Sequence, residues 1–372
     1  MKTVAIVINT AWNIYNFRLN LARALKKEGY NIVCIAPYDA IYTPKIEQEF
    51  PFYSIQFDAK GINPLKDIAT VIALWRLYRN IKPDIVLNYT IKPNLYSTLV
   101  AYALGIKVIT NISGLGTLFI KLSLLTRFVQ VLYKIALHFT CKVFFQNEED
   151  RDLFIKKGLV AKEKCLLVAG SGVDLRKFSP RFFQKEDEMI RFLFVARMLK
   201  DKGLVELVEA FQVLRRNYPY VQVYLLGAMG IENPTAITQE EMQCFIKEKG
   251  IFYLGSNDNV ADILATMDCA VLPSYREGTS RSLLEAAAMA KPIVTTNVPG
   301  CKNVVDNGIN GFLCEPKNIN SLYLAMEKIV LLSPNEREQM GIEGRKKMVN
   351  TFDETFVIRD YITTLKEALN SF

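Results

Sequence analysis

Apolar positions recur along this chain with two periods. Short runs rich in β-branched residues alternate with longer stretches where apolar residues return every three or four positions. "TVAIVIN" (3–9) predicts a strand, "NLARALKKEGY" (20–30) a helix ending near Gly29, and "NIVCIAP" the next strand. "LKDIATVIALWRLYRNIK" places Leu65, Ile68, Ile72 and Trp75 on one helical face. "DIVLNYT", "KVITNIS" and "KVFFQN" are further strands. "PRFFQKEDEM" breaks the pattern with a proline and a charge run, after which it restarts. "IRFLFVA", "VQVYLLG", "FYLG", "CAVLPS", "KPIVTT" and "FLCEP" read as strands, and "LVELVEAFQVLRRNYP" as a helix.

Alternation of this kind predicts an α/β chain with two doubly wound, Rossmann-like domains, each a parallel sheet covered on both faces. The first should span residues 1–185 and the second 190–353, with a linker near 182–189. A last helix within 354–372 is free to pack back on the first domain.

Composition adds direction to this frame. The 372 residues suit two domains, and seven scattered cysteines without a CxxC pair suit reduced thiols rather than a disulfide framework or a zinc site. "MKTVAIVINT" lacks a signal-peptide cleavage region, and no apolar run approaches the ~18 residues of a membrane span. The net charge of +8 is uneven. Residues 1–185 hold 26 Lys and Arg against 13 Asp and Glu, and the remainder 20 against 25. No acidic residue stands between Asp84 and Glu148. A basic first half points to an anionic partner, whether nucleic acid, membrane surface or diphosphate.

Neither domain opens with a glycine fingerprint. The turn after the first strand reads "NTAWNIYNF" and the one after "IRFLFVA" reads "RMLKDKG", and GxxxxGK[ST] is absent. A dehydrogenase needs glycines there for the backbone to approach a pyrophosphate. The chemistry concentrates elsewhere. "REGTSRSLLE" (276–285) sets Glu277 and Glu285 around Gly278, Thr279 and Ser280, ahead of the apolar helix "LLEAAAMA". Ser282 followed by Glu285 has the form of a capping box, and Ser280 or Ser282 can cap the helix. The helix N-terminus can also receive a phosphate. A nucleotide sugar would use the whole group: Arg197 and Lys202 for its diphosphate, Glu285 for its ribose, Glu277 for its sugar hydroxyls. With those cations no metal is required, and no acidic metal motif is evident.

"GSNDNVADILATMDCAVLPSYREGTSRSLLEAAAMAKPIVTTNVPGCKNVVDNGINGFL", "FVARMLKDKGLVELVEAF" and "GSGVDLRKFSP" together resemble the signature regions of retaining family-4 glycosyltransferases of the GT-B fold. "WNIYNFRLNLARALKKEGY" and "NISGLGTLF" are similar to first-domain loops of the branch that builds bacterial capsule, O-antigen and lipid-linked oligosaccharides. That branch includes N-acetylgalactosaminyltransferases acting on undecaprenyl-diphosphate saccharides. The resemblance implies two domains facing across a cleft, a UDP-sugar donor, metal-independent transfer without a cofactor, and a polyprenyl-diphosphate-linked acceptor at the cytoplasmic membrane surface. It assigns Glu277 and Glu285 to donor hexose and ribose, Arg197 and Lys202 to the diphosphate, and the amides of Thr279, Ser280 and Arg281 beside them, with Gly278 in the same loop. The chain departs from the family at Trp12–Asn13–Ile14, where many relatives have a glycine pair, and at Ser113, where many have histidine.

On the acceptor side, "KLSLLTRFVQVLYKIALHF" carries polar residues at 123, 127, 130, 134 and 138, within an arc of about 80° on a helix. The helix is either buried with a thin wet stripe or partly sunk in a bilayer interface. Its Arg127 and Lys134, beside the Gly114–Leu115–Gly116 loop, are candidates to grip a polyprenyl diphosphate, as is Arg18. His138, the only histidine, reads as structural or solvent-exposed. A nucleotide-sugar epimerase working without an acceptor and a nucleic-acid-binding protein are the rival readings. The latter leaves Glu277 and Glu285 unexplained, so no nucleic-acid partner is expected.

Overall fold

A computed structural model describes residues 1–57, 64–115, 124–181, 186–230 and 233–370. Gly116 lies outside the described residues, as does much of the expected linker at 182–189. The chain divides into two compact units, Met1–Ser171 with Val357–Phe372, and Gly172–Phe356.

The first unit is built on seven strands: β1 Thr3–Val7, β2 Asn31–Ala36, β3 Phe52–Ser54, β4 Ile85–Tyr89, β5 Lys107–Ile112, β6 Lys142–Phe145 and β7 Cys165–Leu167. They pair in the order β3-β2-β1-β4-β5-β6-β7, all parallel. The second has six: β8 Ile190–Val195, β9 Val221–Leu226, β10 Ile251–Tyr253, β11 Cys269–Leu272, β12 Ile293–Thr296 and β13 Gly311–Cys314. Their order is β10-β9-β8-β11-β12-β13, again parallel throughout. Strands such as β4 and β11 are buried at every position. That is why they read as continuous apolar runs and not as alternating ones.

Strand order reverses direction between β1 and β4 in the first unit and between β8 and β11 in the second. In open α/β sheets the loops leaving the carboxyl ends of such a strand pair splay apart and leave a crevice for ligands. Arg18 follows β1; Arg197 and Lys202 follow β8; Glu277 follows β11. The topology therefore sets the candidate residues at switch points.

The division falls at 171/172 rather than near 185, and at 356/357 rather than 353/354. Val173 bridges to Asp353, and the Arg345 guanidinium donates to the carbonyls of Leu175 at 3.0 Å, Phe178 at 2.5 Å and Ala288 at 2.8 Å. "GVDLRKFSP" is thus held by the second unit, because one arginine satisfies its carbonyls. The helix Glu354–Asn370 buries Val357, Tyr361, Leu365 and Ala368 in a core with Val4, Ile6, Leu87 and Phe144 of the first unit. Asn111 donates to the Tyr361 hydroxyl at 2.7 Å, and Lys107 to the Ala368 carbonyl at 2.8 Å.

One helical face is reversed from its sequence expectation. In Pro64–Ile81 the stripe Leu65, Ile68, Ile72 and Trp75 is exposed, and the core takes Leu74 and Tyr78 instead.

Candidate functional site

In the second unit the exits of β8 and β11 are stitched together by main chain. The Tyr275 amide donates to the Asp201 carbonyl at 2.9 Å, and the Ser274 hydroxyl to the same carbonyl at 3.3 Å. Gly203 passes so close that a Cβ there would stand 2.1 Å from the Pro273 carbonyl oxygen. The short helical turn Lys200–Lys202 is consequently locked beside the loop that begins at Pro273. Across this seam the Lys202 ammonium pairs with the Glu277 carboxylate. Both side chains are largely covered. A pair this shielded is worth little net stability after desolvation, but it fixes where both groups point.

A second seam holds the other side of the loop. The Glu277 amide donates to the Pro299 carbonyl at 3.2 Å, and the Ser280 amide to the Gly300 carbonyl at 3.0 Å. Gly300 has φ of +76°, and a Cβ on it would lie 2.4 Å from the Gly278 carbonyl oxygen and 2.6 Å from that of Glu277. Below lies Cys301, wholly buried, its thiol pushed up to about 12 by burial and by the Glu277 carboxylate nearby. It stays a neutral thiol at physiological pH, and so a wall rather than a nucleophile.

The loop delivers the helix Arg281–Ala288, whose Leu283, Leu284 and Ala286 through Ala288 are buried. Ser280 is its N-cap, with extended backbone, yet its side chain bonds no helix amide and lies 3.3 Å from the Ser282 hydroxyl. The capping-box expectation for Ser282 and Glu285 is therefore corrected. Ser282 is already the second residue of the helix, and Glu285 the fifth, one turn too far in to reach the cap. Instead Glu285 accepts from Arg281 Nε at 2.9 Å, and Arg281 donates through its terminal nitrogen to the Gly172 carbonyl at 2.6 Å. Without a side-chain cap, the positive end of the helix faces the loop beside Lys202 and Glu277.

Burial raises the Glu285 carboxyl above its ordinary range, against the opposing pull of Arg281 and of Lys177 nearby. A raised carboxyl binds its proton more tightly in the folded state, so its contribution to stability falls as pH climbs from the ordinary value of 4.5 through the raised one. Glu285→Gln removes that loss. Thermal melts taken from pH 4.5 upward should show the variant gaining on the wild type as pH rises; a difference that stays flat with pH would contradict the buried carboxylate.

Arg197 stands on the β8 exit five residues before Lys202. It is exposed, and its segment is held by the Met198 amide donating to the Ala228 carbonyl at 3.0 Å. The structure thus gathers Lys202, Glu277, Gly278, Thr279, Ser280, Arg281 and Glu285 into one loop-and-helix cluster, with Arg197 on the adjoining strand exit. Sequence reasoning missed Gly300, which seats the loop, and Lys177, which shares the Glu285 environment. Only "VPGCKN", a turn signal after an apolar run, hinted at the first.

In the first unit Arg18 is buried, with its guanidinium 4.3 Å from the centre of the Tyr89 ring at the end of β4. Its Nε has no hydrogen-bond acceptor among the described residues. The Tyr89 and Tyr361 rings lie 6.1 Å apart, and Asn111 ties Tyr361 to Ser113, whose hydroxyl it accepts at 2.8 Å. Gly114 follows directly in the same loop. Arg18 and Gly114 therefore belong to the strand-end region of the first unit. Arg127 and Lys134 are exposed on the helix Leu124–His138, as is His138. That helix is not merely buried with a thin wet stripe, because Phe128, Val131 and Ile135 are exposed as well.

Residues 176–347 match the family model "Glycosyl transferases group 1", and residues 3–147 match "Glycosyl transferase 4-like". The chain is 27% identical over 368 residues to the N,N'-diacetylbacillosaminyl-diphospho-undecaprenol alpha-1,3-N-acetylgalactosaminyltransferase of Campylobacter jejuni, covering 94% of each chain. It is 26% identical over 325 residues to the capsular polysaccharide biosynthesis glycosyltransferase CapM of Staphylococcus aureus, covering 83% of this chain and 84% of that one. To the UDP-Gal:alpha-D-GlcNAc-diphosphoundecaprenol alpha-1,3-galactosyltransferase of Escherichia coli it is 25% identical over 347 residues, covering 88% and 87%. Among solved structures, a glycosyltransferase from Rickettsia africae aligns with a TM-score of 0.80 at 18% identity, covering 100% and 99%. HepE of Anabaena, in complex with UDP-glucose, aligns with a TM-score of 0.79 at 16% identity, covering 99% and 100%.

Proposed function

The chain belongs to the glycosyltransferases, its two units falling in the group 1 and 4-like families with the GT-B fold, and from that premise we propose that it moves a hexose or N-acetylhexosamine from a UDP-sugar to a saccharide on polyprenyl diphosphate, with retention of configuration. The observation that carries the donor half is the Lys202–Glu277 pair beside an uncapped helix N-terminus at a switch point. An ammonium, the Arg197 guanidinium and the amides around Thr279 to Arg281 suit a diphosphate; Glu277 suits sugar hydroxyls, and Glu285 the ribose.

The reaction breaks the bond from the sugar's anomeric carbon to the UDP oxygen and forms one from that carbon to the acceptor hydroxyl oxygen. The acceptor's proton passes to the departing phosphate oxygen. Arg197, Lys202 and the helix dipole stabilise the growing negative charge, so the chemistry asks nothing of a metal or a cofactor. Retention is supported by the UDP-Gal relative, whose name gives an alpha-1,3 linkage.

The acceptor half rests on names and on charge. Two relatives act on sugars joined to diphospho-undecaprenol. In this chain Arg18, whose Nε has no hydrogen-bond partner among the described residues, and Gly114 suit the acceptor diphosphate, as do Arg127 and Lys134 on the helix Leu124–His138. No helix among the described residues is long and apolar enough to cross a membrane. The enzyme would work from the cytoplasmic face of the membrane, held at its surface. Nothing favours the epimerase reading.

The test is direct. The protein is incubated with a panel of UDP-sugars and short undecaprenyl-diphosphate saccharides, with and without excess chelator, and product masses are followed. One donor–acceptor pair should give a product one sugar heavier, at a rate chelator leaves unchanged. If no pair reacts, or UDP-sugar turns over without acceptor, the reading fails; a rate abolished by chelator and restored by a divalent ion would end the metal-independent part.

A further inference from the structure

The helix Pro64–Ile81 is apolar on two sides: Val71, Leu74, Leu77, Tyr78 and Ile81 pack in the core, and a second apolar stripe faces outward. Its buried line runs Asp67, Thr70, Leu74 and Tyr78, while Leu65, Ile68, Ile72 and Trp75 are 78, 55, 45 and 37% exposed. A helix of a soluble domain sets its apolar stripe toward the core. Here hydrogen bonds fasten the buried line down. Lys92 donates to Asp67 at 2.7 Å, the Thr70 hydroxyl to the Gln56 carbonyl at 2.9 Å, and Tyr78 meets the Ser97 hydroxyl at 2.5 Å. At 100° per residue the four outward apolar residues and Arg76 and Arg79 share an arc of about 100°.

The same layer continues the pattern. This helix packs against Thr98–Ala103, which packs against Leu124–His138. The middle helix exposes Tyr102, stacked at 3.8 Å on Phe139, and the third exposes Phe128, Val131 and Ile135. Exposed Lys66, Arg76, Arg79, Arg127 and Lys134 are interspersed. The three helices contain a single carboxylate, Asp67, which is buried against Lys92.

We propose that this three-helix face docks on an anionic lipid bilayer, with Ile68, Ile72 and Trp75 entering the interface and Lys66, Arg76 and Arg79 meeting headgroup phosphates. Contiguous exposed apolar surface marks an interaction site, and charge chooses the occupant. A second copy of the chain, paired across a two-fold axis, would set cations against cations. An anionic surface neutralises them, and Trp and Tyr settle at its boundary between oil and water. The inference rests on the proposed lipid-linked acceptor only for the reason a membrane is needed; the surface itself is read from this unit alone.

Flotation of the full chain with vesicles tests it. Wild type should bind phosphatidylcholine vesicles containing phosphatidylglycerol, and pure phosphatidylcholine vesicles less. The triple variant I68S/I72S/W75S should melt like wild type, since these side chains are exposed, and should bind anionic vesicles about 10-fold or more weakly. Its transfer rate onto a short-chain, water-soluble diphosphate saccharide should be unchanged. Equal vesicle binding by the variant overturns the proposal, as does a wild type that ignores anionic vesicles or a dimer in sedimentation velocity that the variant dissociates. If no diphosphate saccharide is ever glycosylated while the variant still loses vesicle binding, the acceptor reading falls and the surface stands.

Discussion

Lys202→Ala should lower kcat for sugar transfer by about 10²-fold or more, with a smaller rise in KM for the UDP-sugar. As the anomeric bond breaks, negative charge gathers on the departing diphosphate, and a fixed ammonium stabilises that state more than the ground state. Tenfold in rate is about 1.4 kcal/mol, so the expected loss asks about 3 kcal/mol of one side chain, an ordinary amount for a shielded charge. The partner makes the prediction sharper. Glu277 is held by Lys202, so the alanine variant also leaves a carboxylate released beside the diphosphate. Lys202→Ala combined with Glu277→Gln should therefore lose less than the two single losses multiplied together. Initial rates over a range of UDP-sugar concentrations would decide it. A Lys202→Ala enzyme within about threefold of wild type in kcat would remove this lysine from the chemistry.

Gly300→Ala should cost roughly 2–5 kcal/mol in stability, from an unfavourable backbone region and from overpacking together. The added methyl would meet main-chain oxygens of Gly278 and Glu277 at 2.4 and 2.6 Å, and backbone cannot step aside as a flexible side chain would. The loop must move, and with it the Glu277 amide bond to Pro299 and the Ser280 bond to Gly300. We therefore expect a loss of UDP-sugar binding beyond what the stability change explains. Denaturant melts give the first quantity and calorimetric titration with UDP the second, at a temperature where the variant is still folded. Unchanged UDP affinity in a folded variant would show that this seam does not shape the site.

Much of the frame was legible because parallel sheets demand strands buried on both faces, and such strands announce themselves as apolar runs bounded by turns. "TVAIVIN", "DIVLNYT" and "CAVLPS" each contain an observed strand for that reason. Glu277 was legible as well, being a carboxylate ahead of a helix with no capping duty to perform. What capping explained, it explained wrongly: Ser282 and Glu285 have the right spacing, yet the cap is Ser280, and two residues of register are enough to turn Glu285 inward to Arg281. Periodicity alone cannot set that register, because a cap is fixed by where the preceding loop is tied, and here that is Gly300.

The sequence by itself determined two α/β units, the absence of a dinucleotide fingerprint, the basic first half, and the loop that carries Glu277. Each follows from local pattern or composition. Only the tertiary structure decided that Lys202 pairs with Glu277 across 75 positions, that 172–181 belongs to the second unit, and that the Ile68–Ile72–Trp75 stripe faces outward. An amphipathic pattern specifies that one face of a helix differs from the other. Which face turns inward depends on whether its polar groups find partners there, as Asp67 finds Lys92 and Thr70 finds the Gln56 carbonyl, and those partners come from distant parts of the chain.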